Sequence, residues 1–249
     1  MLNEFSRSEL LLGKEAIETL NKKRVAIFGV GGVGGYVVEA LARSGVGHLD
    51  LIDNDTVSLT NINRQIIALH STIGKDKVEV AKKRVLDINP NCDVKVYKTF
   101  YLPETASLFD FGKYDYVVDA IDTVAGKLML IEEAKRNNVP IICSLGAGNH
   151  LDPFSFKVSD ISKTSVCPLA KVMRHELKKR NIKDVKVVYS SENPIKPYEY
   201  EEIQKDSSKR ATPGSVSFIP SIVGLIIGSE VIKDLIKKNY NKSVVLWKT

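Results

Sequence analysis

Polar side chains that suit a nucleotide triphosphate are concentrated in residues 53–65. Asn61, Asn63 and Arg64 stand close together in this segment, and Lys77 follows on the next predicted helix. Arginine and lysine neutralise phosphate charge, and asparagine amides donate hydrogen bonds to phosphate oxygens. An ordinary dinucleotide-binding chain passes into a plain helix at this point. The segment therefore favours ATP over NAD.

A second polar segment, residues 119–123, leaves a predicted strand at its carboxyl end, the edge at which open α/β sheets bind ligands. Asp122 supplies a carboxylate, and Mg²⁺ prefers carboxylate and phosphate oxygens. Asp122 is therefore predicted to hold a metal ion. Because a helix is predicted to begin at Val124, Asp122 is also suited to cap that helix, and the two roles are compatible.

Four glycines close the first predicted strand and open the helix after it. They are Gly29, Gly31, Gly32 and Gly34. Glycine permits a tight turn and lets a phosphate approach the backbone, while the helix amino terminus offers free N–H groups. Asp53 ends the next strand 53 − 34 = 19 residues later, where a ribose-binding carboxylate belongs. This pattern predicts a nucleotide site but does not by itself separate NAD from ATP.

Strands and helices alternate through the first part of the chain. The predicted strands are 24–30, 48–52, 93–100, 116–120 and 141–145, and the predicted helices are 33–43, 75–88 and 124–137. Alternation of this kind predicts a Rossmann-like α/β fold with a doubly wound, mostly parallel sheet and helices on both faces. We expect one domain spanning residues 1–249, with a nucleotide-binding core in residues 1–150.

Residues 151–249 are expected to form a C-terminal α/β extension of that core. It contains predicted strands at 154–159 and 185–189, helices at 169–180 and 218–232, and a polar mobile loop at 190–214. Gly224 and Gly228 stand four residues apart on the last helix, which indicates close packing in the core or at a dimer contact. That helix is shorter than a membrane span.

Composition narrows the class of protein. The net charge of +6 and the pI of about 9.0 permit an acidic partner without requiring one. The three cysteines form no C-x-x-C pair, which excludes a four-cysteine zinc site within one chain and favours a reducing compartment. The amino terminus has no apolar signal core. We therefore expect a cytoplasmic protein.

Residues 53–65 and the glycine loop resemble the adenylating domain of the ubiquitin-activating superfamily. The resemblance implies ATP and magnesium, with attack of a carboxylate on the α-phosphate. It places ATP contacts at Gly32, Asp53, Asn61, Asn63, Arg64, Lys77, Asp122 and Thr123. It also implies a homodimer in which an arginine near the amino terminus, here Arg7, reaches the partner subunit's site. Arg7, Arg64 and Asp122 are then the implied catalytic residues.

Residues 144–180 resemble the family of tRNA threonylcarbamoyladenosine dehydratases, and the similarity extends over nearly the whole chain. It implies ATP-driven cyclisation of threonylcarbamoyladenosine in tRNA through an acyl-adenylate, with a tRNA-binding part in residues 151–249. Whether a sulfur-transfer protein assists stays open. The alternatives are adenylation of the C-terminal glycine of a sulfur-carrier protein, an NAD-dependent oxidoreductase, and a non-catalytic nucleotide-binding subunit.

The predicted helix 169–180 is rich in cations and is expected to bind tRNA phosphates without reading sequence. The RNA-binding candidates are Lys171, Arg174, Lys178, Lys179 and Arg180. The alternative is a solvated helix face with Val172, Met173 and Leu177 directed inward. Cys167, just before this helix, is interpreted either as a packed side chain or as a thioester acceptor.

Overall fold

Seven strands and seven helices form the part of the chain that the computed structural model describes, residues 2–198 and 213–237. The strands are β1 Arg24–Phe28, β2 His48–Ile52, β3 Asp93–Tyr97, β4 Tyr116–Asp119, β5 Ile141–Leu145, β6 Phe156–Asp160 and β7 Lys186–Ser190. The helices are α1 Ser6–Leu12, α2 Lys14–Leu20, α3 Gly34–Arg43, α4 Lys77–Ile88, α5 Val124–Arg136, α6 Pro168–Lys179 and α7 Phe218–Leu235.

The strands form one sheet in the order β3-β2-β1-β4-β5-β7-β6. All neighbours are parallel except the edge strand β6, which pairs antiparallel with β7. The predicted Rossmann-like, mostly parallel α/β fold is therefore confirmed. Strands β6 and β7 continue the same sheet, so the C-terminal part joins the core through backbone pairing.

The central strand β1 shows why helices cover both faces. Val25 and Ile27 pack in one cluster with residues of α3, α4 and α7, whereas Ala26 and Phe28 pack in a second cluster with residues of α5 and α6. Alternate residues of a strand point to opposite faces, so a strand buried on both sides reads as a continuous apolar run.

Helix α7 packs directly on α3, and two glycines permit the contact. A Cβ atom at Gly224 would lie 2.4 Å from the Val33 carbonyl oxygen, and one at Gly228 would lie 2.6 Å from Ala40 Cβ. Of the two interpretations of this glycine pair, core packing is the one that the structure bears out. No helix in the described ranges is long and apolar enough to cross a membrane.

The structure differs from the predicted elements at the end of β1 and before its start. Strand β1 ends at Phe28 because Gly29 adopts a φ of +92°, outside the strand region. The short helices α1 and α2, which precede β1, were not predicted. Residues 191–198 of the predicted loop contain no helix or strand, and residues 199–212 of it lie outside the described part.

Candidate nucleotide site

The glycine loop lies at the point where the strand order reverses. Strand β1 pairs with β2 on one side and with β4 on the other, and the loop follows β1 at its carboxyl end. Beyond β2 the chain continues into the polar segment 53–65, and beyond β4 it continues to Asp122. Open α/β sheets bind ligands in the crevice at this switch point.

Two of the four glycines are required by backbone contacts. A Cβ atom at Gly34 would lie 1.7 Å from the Gly29 carbonyl oxygen, and one at Gly29 would lie 2.7 Å from the Ala120 carbonyl oxygen. Both residues are held to the sheet through their N–H groups, because Gly29 donates to the Ile52 carbonyl and Ala120 donates to the Phe28 carbonyl, each at 2.8 Å. Gly29 and Gly34 therefore set the shape of the loop rather than only leaving room for a ligand.

The other two glycines face the polar segment. The Cβ position of Gly31 lies 3.8 Å from Gln65 Nε2. That of Gly32 lies 3.6 Å from Arg64 Cγ and 3.1 Å from Cβ of Pro220 on α7. The N-cap residue of α3, Val33, makes no side-chain capping bond. The Gly35 N–H donates to the Gly31 carbonyl at 2.9 Å, so the Gly34 N–H, at the first position of α3, is the group suited to an anion, which the helix dipole also favours.

Asp53 holds the glycine loop through the backbone. Its Oδ2 accepts a hydrogen bond from the Val30 N–H at 2.7 Å, and its Oδ1 accepts one from the Asp55 N–H at 2.8 Å. Burial raises the pKa of the Asp53 carboxyl, and the nearby charge of Lys77 opposes that rise. Each carboxylate oxygen keeps a second lone pair, so a ribose hydroxyl remains a possible donor.

Arg64 is a half-buried cation with no carboxylate within 4 Å in residues 2–198 and 213–237. Its guanidinium donates only to neutral oxygens, the Thr60 carbonyl at 2.7 Å and Asn63 Oδ1 at 3.0 Å. Burial lowers the pKa of Arg64. Burial of this positive charge costs free energy that no anionic partner offsets, so Arg64 is suited to bind an incoming phosphate.

Gln65 was not among the predicted site residues. Its side chain is buried, and Oε1 is the buried polar side-chain atom that lacks a hydrogen-bond partner among the described residues. Buried polar atoms are normally paired, so this one calls for an explanation. Its amide faces Gly31, which indicates that Gln65 belongs to the nucleotide site. The sequence signal was its place directly after Arg64.

Lys77 is buried at 5% exposure and forms an ion pair with Asp55, with Nζ 2.7 Å from Oδ2. Lys77 therefore does not lie on a solvated helix face. The Asp55 side chain is exposed whereas that of Lys77 is not. The carboxylate of the pair therefore lies nearer the surface than the ammonium group.

The two predicted asparagines differ in how they are used. Asn61 is buried, and its Oδ1 accepts a hydrogen bond from the Ser58 N–H at 3.2 Å. Asn63 is exposed, and its Nδ2 donates to the Ser215 carbonyl at 2.9 Å. Asn61 therefore shapes the turn, and Asn63 links the nucleotide segment to the chain that precedes α7.

Asp122 and Thr123 are both exposed at the carboxyl edge of β4. The N-cap residue of α5 is Thr123, one position after Asp122. No group of three or more His, Cys, Asp or Glu side chains in the described residues could hold a metal by itself. A magnesium site that uses one or two carboxylates and completes its shell with phosphate oxygens and water would not form such a group.

Arg7 lies far from this site within its own chain. It is exposed on α1, and the neighbouring Phe5 ring lies 3.6 Å from the Cβ position of Gly45, beyond the last turn of α3. The glycine loop is at the other end of α3, a ten-residue helix of about 15 Å. Arg7 therefore stands on the side of the sheet opposite to the nucleotide edge.

Helix α6 presents fewer available cations than its sequence indicates. Arg174 donates to the Thr164 carbonyl at 2.9 Å, and Lys179 and Arg180 pair with Glu176 at 2.8 and 2.7 Å. Lys171 and Lys178 are exposed, with no carboxylate within 4 Å in the described residues. Of the residues expected inward, Met173 and Leu177 are buried, whereas Val172 is 45% exposed.

Lys171 and Lys178 lie seven residues apart on one face of α6, and we expect them to bind tRNA phosphates. Reversing both charges to glutamate should weaken tRNA binding by at least about tenfold and reduce the slope of log affinity against log salt by about two. Filter binding across a salt series measures this, with the same reversals at Lys22 and Lys83 as the control outside α6. Unchanged affinity would place the RNA surface elsewhere.

Cys167 is the N-cap residue of α6 and is 4% exposed. Its Sγ accepts a hydrogen bond from the Ala170 N–H at 3.5 Å and lies 3.5 Å from the Leu145 carbonyl oxygen. We expect Cys167→Ser to keep turnover within about tenfold, a barrier change below about 1.4 kcal/mol, because serine also caps helices. A folded variant without turnover would instead support a thioester intermediate.

The fold and the site together define an α/β protein of the nucleotide-binding class, with a candidate phosphate site at the glycine loop, the amino terminus of α3 and the desolvated Arg64. The model of the ThiF family matches residues 5–248, and the chain belongs to that family.

Known proteins with similar chains fall into two groups. The tRNA threonylcarbamoyladenosine dehydratase of Bacillus subtilis is 48% identical over 95% of this chain and 96% of its own. The crystal structure of the Escherichia coli tRNA N6-threonylcarbamoyladenosine dehydratase in complex with ATP has a TM-score of 0.84 at 33% identity and covers 96% of both chains. The probable molybdopterin-synthase adenylyltransferase of Porphyra purpurea is 31% identical over 50% of this chain and 32% of its own.

Proposed function

We propose that this protein is an ATP-dependent tRNA threonylcarbamoyladenosine dehydratase that acts through an acyl-adenylate. The observation that carries the proposal is Arg64, a half-buried cation without a carboxylate partner in the described residues, beside the uncapped amino terminus of α3. The similarity to dehydratases over nearly the full length of the chain supports the choice of substrate.

The chemistry follows from the poor leaving group of a carboxylate. An oxygen of the threonyl carboxylate attacks the α-phosphorus of ATP, and pyrophosphate leaves. The carbamoyl oxygen of the same substrate then attacks the activated carbonyl carbon, AMP leaves with the former carboxylate oxygen, and a carbamoyl N–H proton goes to solvent. The net change in the tRNA is the loss of one water. Because both reacting groups belong to one substrate, the effective molarity is high and no protein nucleophile is needed.

The residues of the site would act by positioning and by charge. Arg64 and Lys77 would bind the polyphosphate, and Asp53 would orient the ribose. The Gly34 N–H at the start of α3 would donate a hydrogen bond to a phosphate oxygen. Asp122 would hold Mg²⁺, which supplies charge neutralisation on the phosphates when bound. Gln65 Oε1, which has no partner among the described residues, would accept a hydrogen bond from a donor group of the bound nucleotide.

Adenylation of a sulfur-carrier protein is the competing proposal, and it predicts a different activator. The matched adenylyltransferase resembles this chain over only half its length. The described residues supply no set of ligands for the zinc that sulfur-carrier enzymes hold with paired cysteines. Release of pyrophosphate that depends on a small protein ending in glycine, rather than on tRNA, would favour it.

The proposed working form is a cytoplasmic homodimer that acts on tRNA. Arg7 lies on the side of the sheet away from its own glycine loop, so it can reach a nucleotide only from a second copy. Leu10 and Leu11 follow Arg7 by three and four residues, on the same face of α1 as Arg7, and are 89% and 81% exposed. A partner subunit would cover them. Incomplete turnover with purified components would indicate that a further partner, such as a sulfur-transfer protein, takes part.

Mass spectrometry of tRNA tests the proposed reaction directly. Incubation with the protein, ATP and Mg²⁺ is expected to convert threonylcarbamoyladenosine to a product lighter by one water. Pyrophosphate should form in equal amount. Calorimetry should detect ATP–magnesium binding and no tight binding of NAD. Tight NAD binding with unaltered tRNA would support an oxidoreductase on the same scaffold instead.

A further inference from the structure

Asp119 and Lys127 form an ion pair in which both side chains are shut off from solvent. Lys127 Nζ lies 3.0 and 3.1 Å from the two carboxylate oxygens of Asp119 and donates to the Ser144 carbonyl at 2.7 Å. Both residues are 0% exposed. Among ion pairs within residues 2–198 and 213–237, this one alone has both side chains so deeply buried. The ammonium group thus has an acceptor for each of its three protons.

Stability alone does not account for such a pair. Removing two charges from water is costly, and well-packed apolar residues of similar volume often give an equal or more stable fold. A fully hydrogen-bonded buried pair does fix one arrangement of the elements that carry it.

The pair holds both ends of the segment that carries Asp122. Asp119 is the last residue of β4, and its Oδ1 accepts a hydrogen bond from the Ile121 N–H at 3.2 Å. Lys127 lies near the start of α5, where its N–H donates to the Thr123 carbonyl at 3.0 Å. The side-chain pair closes this loop across the strand-to-helix turn.

The same segment is packed tightly against the glycine loop. The Ala120 N–H donates to the Phe28 carbonyl at 2.8 Å, and a Cβ at Gly29 would lie 2.7 Å from the Ala120 carbonyl oxygen. A Cβ at Gly126 would lie 2.6 Å from Ile121 Cδ1. A small shift of this turn would therefore change the spacing between Asp122 and the phosphate-binding loop.

We propose that Asp119 and Lys127 are positioning residues that hold the turn carrying Asp122 and Thr123 against the glycine loop, in the arrangement that binds magnesium–ATP. Neither side chain reaches solvent, so neither contacts the nucleotide. The inference rests on the proposed function, because it assigns to Asp122 the metal ion of that reaction.

The double variant Asp119→Leu/Lys127→Met removes both charges and leaves none unpaired. We expect it to fold and to bind ATP in EDTA within about threefold of wild type, because the glycine loop and Arg64 remain. The gain in ATP affinity that Mg²⁺ provides should shrink by about tenfold, and kcat for dehydration should fall by about a hundredfold. Calorimetry with and without Mg²⁺ and the tRNA mass assay provide these values.

The matched control is Glu39→Leu/Arg84→Met, which removes an ion pair of 2.6 Å between α3 and α4. It should keep the wild-type magnesium effect and turnover. A folded Asp119→Leu/Lys127→Met protein that behaves like this control would overturn the proposal. Wild type without any magnesium–ATP-dependent dehydration would count against the proposed function instead, since that result does not involve the variants.

A measurement on the wild-type protein covers the case in which the double variant does not fold. If the pair fixes the turn, the Ile121 amide should exchange with deuterium within about tenfold of the rate of Val118 in β4, because both open only with the sheet. Faster exchange at Ile121 would show that the turn opens locally and would overturn the proposal.

Discussion

Replacing Arg64 by methionine is expected to lower kcat/KM for tRNA dehydration by about a thousandfold, or about 4 kcal/mol in the barrier. The guanidinium stands beside Gly32 and the amino terminus of α3, and methionine keeps the packing of its stem while removing the charge. The melting temperature should hold or rise by a few degrees, since the variant removes a desolvated charge that no carboxylate in the described residues compensates.

The opposite signs of these two effects make the experiment decisive. Arg43→Met serves as the control, because Arg43 ends the same helix α3 and pairs with Glu39 at 2.7 Å. It should leave turnover unchanged. If Arg64→Met lowers the melting temperature and keeps activity, Arg64 has a structural role and the phosphate site must be assigned to other residues.

Mixing two inactive variants is expected to restore activity to roughly a quarter of wild type. Arg7→Ala and Asp122→Ala should each be nearly inactive, because one removes the partner's cation and the other the metal ligand. In a mixed dimer one site has both residues intact and the other has neither. Random exchange makes about half of the dimers mixed, and each of these has one working site out of two.

The restoration depends on Arg7 acting across the dimer. If Arg7 completed a site in its own chain, every site would keep one defect and no activity would return. Differently tagged subunits, purified in tandem, establish that exchange has occurred. Leu10→Ala with Leu11→Ala is expected to weaken dimerisation and to lower turnover at dilute protein, which analytical ultracentrifugation and assays across concentration would measure.

The local features of the nucleotide site were already determined by the sequence. Glycines at fixed offsets from a strand end, an aspartate at the end of the next strand, and a regular alternation of strands and helices all depend on short-range backbone geometry. Such patterns survive without knowledge of the rest of the fold. For this reason the elements from β1 to β5 were predicted to within a few residues, whereas the preceding helices α1 and α2 were not.

The pairing of charged side chains was decided only by the tertiary structure. Lys179 and Arg180 read as free cations in the sequence, yet Glu176 pairs with both and Glu132 pairs with Arg180. Arg64, in a similarly polar stretch, stays without a carboxylate among the described residues. Burial and charge pairing depend on which segments the sheet order brings together, and composition does not reveal that.

Contacts between segments that are distant in the sequence were also decided only by the tertiary structure. Lys127 meets the Ser144 carbonyl only because β4 and β5 are neighbours, and Arg7 is separated from its own glycine loop only because α1 lies at the far end of α3. The sequence thus predicted candidate residues for a nucleotide site. The order of strands and the packing of helices decided which of them are positioned, paired or left available, because desolvation and hydrogen bonding act on neighbours in space.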